Sequence, residues 1–353
     1  MQISVQRSQQ PRPKPPVGEL GFGKYFTDHI FTMECDRGVW QNAKISPYGS
    51  LTLDPAATVF HYGQAMFEGL KAFCSKTGDI QLFRPEFNAQ RMARGAERLC
   101  MPSFPEEMFL EAIRALVAID KEWVPKEKGT SLYIRPTLIG TEAFLGVRPA
   151  EKYLFFLLLS PVGSYYAEGL SPVKIWIEKE YVRAAHGGLG FVKAGANYAA
   201  SLLAGVRAKK AGYSQVLWLD AEKREYIEEV GTMNVFFVID NEIITPPLGD
   251  TILGGVTRDS TLQILREWGC KIVERPLSMT ELQDAYARGS LKEAFGTGTA
   301  AVISAIGELA SDTDKIILNQ GKVGELTKKL YDEITGIQYG EKPDTRNWIV
   351  PCT

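Results

Sequence analysis

The sequence predicts an α+β protein built from two mixed α/β domains, and three observations lead there. At 353 residues the chain exceeds what one hydrophobic core usually supports. With 45% hydrophobic and 23% charged residues, it has the composition of an ordinary globular protein. Short apolar segments alternate with amphipathic helices, but without the strand–helix–strand rhythm of a doubly wound parallel sheet.

Residues 1–20 are polar and carry Pro11, Pro13, Pro15 and Pro16. They read as an arm that is disordered or hugs the surface. A first, smaller domain is expected over 21–160. Its helices fall at about 85–99, where Arg91, Arg94, Glu97 and Arg98 interleave with Met92 and Leu99, and at 105–123, with Met108, Leu110, Ile113, Leu116 and Val117 at helical spacing. Strands follow at 131–135 and 153–159. The turn formers of Ser160-Pro-Val-Gly-Ser164 open an interdomain connection, placed at 161–172. A larger domain is expected over 173–353. It begins with a strand at 173–177, a Gly/Ala-rich loop around Lys193 and a helix at 198–211. Strands at 215–219 and 234–239 come next, and Asp240-Asn241 turns the chain into 243–245. A helix over 256–268 closes on Gly269, and Ser278 with Glu281 forms a capping box.

Forty basic and 42 acidic residues give a formal net charge of -2, which offers no footprint for nucleic acid or an anionic membrane. Neither partner is expected. Cys35, Cys74, Cys100, Cys270 and Cys352 are scattered and form no C-x-x-C pair, which fits a reducing compartment without disulfides or zinc. His29, His61 and His186 lack ligand spacing, so no metal is expected. The N-terminus has no apolar signal stretch, and the longest apolar run, 153–159, is too short to span a bilayer. A cytoplasmic location is the expectation.

Several stretches could carry chemistry. In Gly187-Gly-Leu-Gly-Phe-Val-Lys193-Ala-Gly-Ala-Asn-Tyr198, small residues flank one lysine, a setting that admits a flat ligand and lowers the amine's proton affinity for imine formation. The same stretch fits a flexible loop whose lysine points to water. Ile252-Leu-Gly-Gly-Val-Thr-Arg258 runs into a helix whose first amides suit an anion; the alternative is an αL turn with Thr257 as cap. Gly296-Thr-Gly-Thr299 reads either as a phosphate loop or as a plain turn. Glu229 at a strand end could hold a pyridinium nitrogen, or be a solvated edge. Arg91 reads by default as a surface cation, Arg135 at a strand end could pair with any acid, and Tyr62 and Phe67 read by default as core aromatics.

Taken together these stretches resemble the branched-chain amino acid aminotransferases, pyridoxal phosphate (PLP) enzymes of fold type IV. The resemblance runs from Phe22-Gly-Lys-Tyr-Phe-Thr-Asp-His29 to Ile337-Gln-Tyr-Gly340 and Trp348. It is densest in His61-Tyr-Gly-Gln-Ala-Met-Phe-Glu-Gly-Leu-Lys-Ala-Phe73, Leu132-Tyr-Ile-Arg-Pro136, the Lys193 stretch, Glu229-Val-Gly-Thr-Met-Asn234 and Phe295-Gly-Thr-Gly-Thr299. It implies two α+β domains with the cofactor between them, and transfer of the amino group of leucine, isoleucine or valine to 2-oxoglutarate. Lys193 would carry PLP as a Schiff base and shuttle the proton, Glu229 would keep the pyridine nitrogen protonated, and Tyr198 would meet the phenolic oxygen. Arg91, the amides of Val256 and Thr257, and Thr299 would bind the phosphate. Phe22, Tyr62, Phe67, Tyr133, Tyr165, Thr232, Thr299 and Ala300 would line the substrate pocket, with Arg135 handling the acidic side chain of glutamate. Leu145 and Val147 would reach a partner subunit's pocket, implying a homodimer. Animal members carry a C-x-x-C where this chain has Ala301 and Ser304, so redox switching by that pair is not expected. Val192 stands where cysteine often precedes the lysine. The Leu132–Pro136 and Phe144-Leu-Gly-Val147 segments favour this reading over the same-fold D-amino acid aminotransferases and aminodeoxychorismate lyases. The Lys193/Glu229 pair argues against a non-catalytic vitamin B6 binder.

Overall fold

The computed structural model describes residues 2–163 and 170–352. The chain divides into two compact units: Met1–Ala167 with Val192–Ala196 and Gly336–Thr353, and Glu168–Phe191 with Asn197–Thr335.

The first unit is one sheet with helices on one face. Its strands are β1 (Ser4–Val5), β2 (His29–Asp36), β3 (Val39–Pro47), β4 (Ala65–Phe67), β5 (Leu70–Cys74), β6 (Ile80–Phe83), β7 (Ser131–Gly140), β8 (Lys152–Val162) and a C-terminal strand Ile349–Pro351. The order is β1-β3-β2-β8-β7-β5-β6 and then the C-terminal strand, with β4 beside β7. The helices are α1 (Thr58–Tyr62), α2 (Pro85–Arg98) and α3 (Glu106–Ile119). In α3, Phe109, Ala112, Ile113, Leu116 and Val117 recur every three or four residues and all are buried. Each larger one contributes about 1.5–3 kcal/mol by leaving water. They meet Phe31, Leu132, Ile134, Phe155 and Leu157 from the facing side of the sheet. Strand geometry therefore sends Tyr133 and Arg135 to the opposite face from Leu132 and Ile134. That alternation makes one side of β7 core and leaves the other for chemistry.

One open alternative is decided in this unit and two expectations need correction. The arm hugs the surface: exposed Ser4 and Val5 pair in parallel with Lys44 and Ile45, the Ser8 N–H donates to His29 Nε2 at 2.8 Å, and Arg12 lies 4.2 Å above the Tyr48 ring. Ser160-Pro-Val162 is not a connection but the end of β8, opposite Tyr133, Leu132 and Ser131. Pro161 is tolerated because pairing with β2 stops at Leu157, so its missing donor costs that ladder nothing. The C-terminal stretch packs here rather than with residues 173–335, because Ile349–Pro351 pairs with β6 and Trp348 meets Phe83 edge-on at 5.5 Å.

The second unit carries β9 (Val173–Ile177), β10 (Gln215–Leu219), β11 (Ile227–Val230), β12 (Asn234–Ile239), β13 (Glu242–Thr245), β14 (Lys271–Glu274), β15 (Leu291–Gly298), β16 (Val302–Ala310) and β17 (Lys315–Ile317). Its sheet runs β11-β10-β9-β16-β15-β12-β13-β14, with β17 on β16. The helices are α4 (Gly195–Lys210), α5 (Val256–Glu267), α6 (Met279–Ala287) and α7 (Glu325–Gln338), α4 and α7 running across the unit boundary. Ala204 and Ala208 of α4 pack on Val216 and Trp218. Ser278 Oγ accepts from the Glu281 N–H at 3.0 Å, as the capping box requires, and Gly269 ends α5 in the left-handed region. Gly296–Gly298 is the end of β15 rather than a loop. Gly296 serves packing, since a Cβ there would stand 2.8 Å from the Met233 methyl and 3.0 Å from Val230. No helix of the described residues is long and apolar enough to cross a membrane.

Candidate active site

In the first unit Lys193 sits on a short extended stretch that bridges to β4. Ala194 pairs with Met66, and the Phe67 N–H donates to the Lys193 carbonyl at 3.1 Å. The glycine at position 95 makes room for this, because a Cβ there would meet the Met66 methyl at 2.6 Å and Val192 at 3.2 Å. The lysine is half-buried, with Nζ 4.9 Å above the Phe67 ring. It does not point into bulk water.

Four residues expected at the substrate join it on the sheet face opposite α3. The Arg135 guanidinium lies 4.5 Å over Phe67 and 5.2 Å over Tyr133, and its Nη2 donates to the Tyr133 hydroxyl at 3.3 Å. Phe22 meets Tyr133 edge-on at 4.8 Å. Arg135 Nε and Ser160 Oγ are buried without a protein hydrogen-bond partner, and Ser160 stands directly opposite Tyr133. A buried unmatched N–H beside a hydroxyl is suited to a carboxylate. Tyr62, Leu145 and Val147 form a second, exposed group: the Tyr62 hydroxyl donates to the Leu145 carbonyl, and Val147 is 87% exposed.

Arg91 is no surface cation. It is buried on α2 together with Asn88 and grips Glu68 through two hydrogen bonds of 2.7 Å. Glu68 had no assigned role in the sequence reading, and neither did Lys71. Lys71 is cross-strand from Tyr133, and burial pushes its ammonium down to about 8. The signal for Lys71 lay in the period of two: an odd-numbered position on β5 shares its face with Tyr133 and Arg135.

The second unit contains a pocket lined by Arg183, Asn197, Tyr198, Ser201, Glu229, Gly231, Thr232 and Leu253. Tyr198 and Ser201 project from successive turns of α4. Glu229, on β11, is 3% exposed, so it is not a solvated strand edge. Its Oε1 accepts from Asn234 Nδ2 at 3.1 Å and from the Leu253 N–H at 2.9 Å. Its Oε2 lies 3.1 Å from Arg183 Nε, off the line a hydrogen bond needs, so that contact is ionic. Arg183 is itself fixed by the carbonyls of Gly190 and Thr251. A carboxylate accepting two amide donors beside a buried cation is held in its charged form. Sequence reasoning missed Arg183, which lies ten residues before the lysine with no motif around it.

The Gly-rich loop is anchored. Asp250 accepts from the Gly187 N–H at 2.7 Å and holds His186 at 2.8 Å, and a Cβ on Gly190 would run into the Thr251 backbone at 2.5 Å. The carboxylate and hydrogen bond of Asp250 raise the proton affinity of His186. Gly190 therefore serves chain packing, not ligand approach. Gly195 has open space where a Cβ would go.

Helix α5 starts at Val256 with Gly255 in extended conformation as its cap, without a side-chain cap. The αL-turn alternative, with Thr257 as cap, is thereby excluded. Uncapped first-turn amides of Val256 and Thr257 at the positive end of a helix dipole suit an anion. Gly255 allows close approach of Asn234, whose Nδ2 also donates to the Leu253 carbonyl at 2.8 Å. Gly255→Ala has a permissible φ of -76 but places a Cβ 2.2 Å from Asn234 Oδ1. It is expected to cost about 1–3 kcal/mol in urea unfolding; an unchanged midpoint would mean that Asn234 yields freely. Thr299 and Ala300 are half-buried in the turn after β15, and Tyr165 lies outside the described residues.

Comparison with known proteins agrees with this chemistry. The family model for class IV amino-transferases matches residues 65–309. Branched-chain-amino-acid transaminase 1 of Bacillus subtilis (strain 168) is 52% identical over 339 residues, 96% of this chain and 95% of its own. A probable branched-chain-amino-acid aminotransferase of Staphylococcus aureus (strain N315) is 47% identical over 99% of this chain and 98% of its own. Among solved structures, the Escherichia coli branched-chain amino acid aminotransferase matches with a TM-score of 0.77 at 27% identity, covering 92% of this chain and 99% of that one. The Thermobaculum terrenum enzyme, solved in its PLP form, shares the fold with a TM-score of 0.73 at 23% identity, covering 93% and 99%.

Proposed function

The chain belongs to the class IV aminotransferases, as a branched-chain amino acid aminotransferase, and on that premise we propose how its residues divide the work. The cofactor would be PLP, and Lys193 would hold it. When bound, it supplies an electron sink for the electrons of the substrate's α-carbon. The Glu229 pocket carries this reading: a buried carboxylate kept charged by Arg183 lines one cavity with Tyr198 and Thr232. Glu229 would keep the cofactor's ring nitrogen protonated, and the Tyr198 hydroxyl would bind its phenolic oxygen. Arg91, the amides of Val256 and Thr257, and Thr299 take the phosphate, a role supported by the uncapped start of α5.

Once free of the cofactor, Lys193 Nζ would take the substrate's α-proton as general base and give it up again as general acid. Phe22, Phe67 and Tyr133 supply an apolar wall in the first unit, and Tyr62, Tyr165, Thr232 and Ala300 are the other substrate residues the resemblance implies. Such a wall separates leucine, isoleucine and valine by only about 1–3 kcal/mol per methylene, so all three are donors. Arg135 receives the side-chain carboxylate of glutamate and 2-oxoglutarate, which its unmatched Nε supports. The exposure of Leu145 and Val147 supports a homodimer in which this loop enters the partner's pocket. Five free cysteines support a cytoplasmic location.

The test is a steady-state panel of amino donors with 2-oxoglutarate, joined to borohydride reduction and peptide mapping. Activity is expected on all three branched-chain L-amino acids and not on D-alanine, with the reduced cofactor on Lys193. Cofactor found on another lysine would overturn the assignment.

A further inference from the structure

Glu68 pairs with Arg91, which has an assigned role, and has none itself, yet it is fully buried. Arg91 Nε donates to its Oε1 and Arg91 Nη2 to its Oε2, each at 2.7 Å. Asn88 Nδ2 and the Gly69 N–H donate to Oε2 at 2.8 and 3.1 Å. Burial pushes this carboxyl up, but the Arg91 guanidinium outweighs it, with Lys193 and Asn88 adding to the net downward direction. A buried ion pair is a poor source of stability, because desolvating both charges offsets their attraction and apolar replacements often serve as well. A role beyond holding the fold together is therefore to be sought in what the pair orients.

The fork uses the Nε–Nη2 edge of the guanidinium. Because the group is planar, this fixes its rotation and the direction of its Nη1 end. We infer that Glu68 is a positioning residue: it locks the Arg91 plane for the cofactor phosphate. This rests on the reading of Arg91 given above.

The test uses the PLP-loaded enzyme and a readout other than turnover: the dissociation constant for PLP set against that for pyridoxal, which lacks the phosphate. Glu68→Gln keeps the shape and removes the charge. It is expected to weaken PLP binding by about tenfold or more while pyridoxal binding stays near wild type. Glu68→Asp keeps the charge but shortens the reach, so PLP binding weakens there as well. It also covers the case in which the Gln variant fails to fold. A wild-type PLP affinity in either variant would overturn the proposal, as would an equal loss of pyridoxal binding. Wild-type enzyme without reducible cofactor on Lys193 would instead sink the reading beneath it.

Discussion

Lys193→Ala is expected to lower leucine–2-oxoglutarate transamination by about 10⁴-fold or more, because one nitrogen serves as both nucleophile and proton carrier. The fold should survive. The contact that fixes this stretch is the Phe67 N–H on the residue's carbonyl, which alanine retains. What disappears is the amine above the Phe67 ring. Far-ultraviolet circular dichroism and the urea midpoint should match wild type, while borohydride should no longer fix the cofactor covalently. A variant retaining more than about a hundredth of wild-type kcat would place the proton transfer on another group.

Glu229→Gln is expected to lower kcat by about 10²–10³-fold, on the scale of losing one preorganised electrostatic contact in a buried site. KM for 2-oxoglutarate should move far less, since Arg135 and Tyr133 lie in the other unit and are untouched. Glutamine can still accept from Asn234 and the Leu253 N–H, but it cannot hold a proton on the ring nitrogen. It also takes from the half-buried Arg183 its nearest counter-charge, which costs stability, up to about 3–5 kcal/mol for a fully buried pair. Pairing it with Arg183→Met separates the two effects. The double variant should recover stability without recovering rate. If kcat stays within about threefold of wild type in the single variant, the carboxylate has no electronic role.

Residues read correctly from the sequence were those whose signal is local. Ser278 and Glu281 announce a capping box because both partners lie within one turn. The apolar spacing of α3 reports its buried face because a helix repeats every 3.6 residues. The placement of Arg91, by contrast, needed its neighbour in space. On α2 it reads as one basic residue among several, and only the fold brings Glu68 against it. Arg183 and Lys71 escaped notice for the same reason, their partners lying 46 residues (229 minus 183) and 62 residues (133 minus 71) away.

Glycine was the residue most often misjudged. Gly190 and Gly296 suggested ligand approach, but they make room for Thr251, Met233 and Val230. A missing Cβ is visible in a sequence, whereas the atom that occupies its space is not. Likewise Ser160-Pro-Val162 carries turn-forming chemistry, yet cross-strand pairing with Ser131, Leu132 and Tyr133 keeps it extended.

By itself the sequence determined the helices α2, α3 and α5, several strands and, by resemblance, the family, and it picked out Lys193 and Glu229 as candidates. These depend on short-range periodicity and on motifs that each fit within a dozen or so residues. The tertiary structure alone decided which charges are buried, which acid each cation faces, and that residues 336–353 complete the first sheet. The physical reason is range. Backbone propensity acts over a few residues, while desolvation and charge pairing depend on whatever segment folding brings alongside.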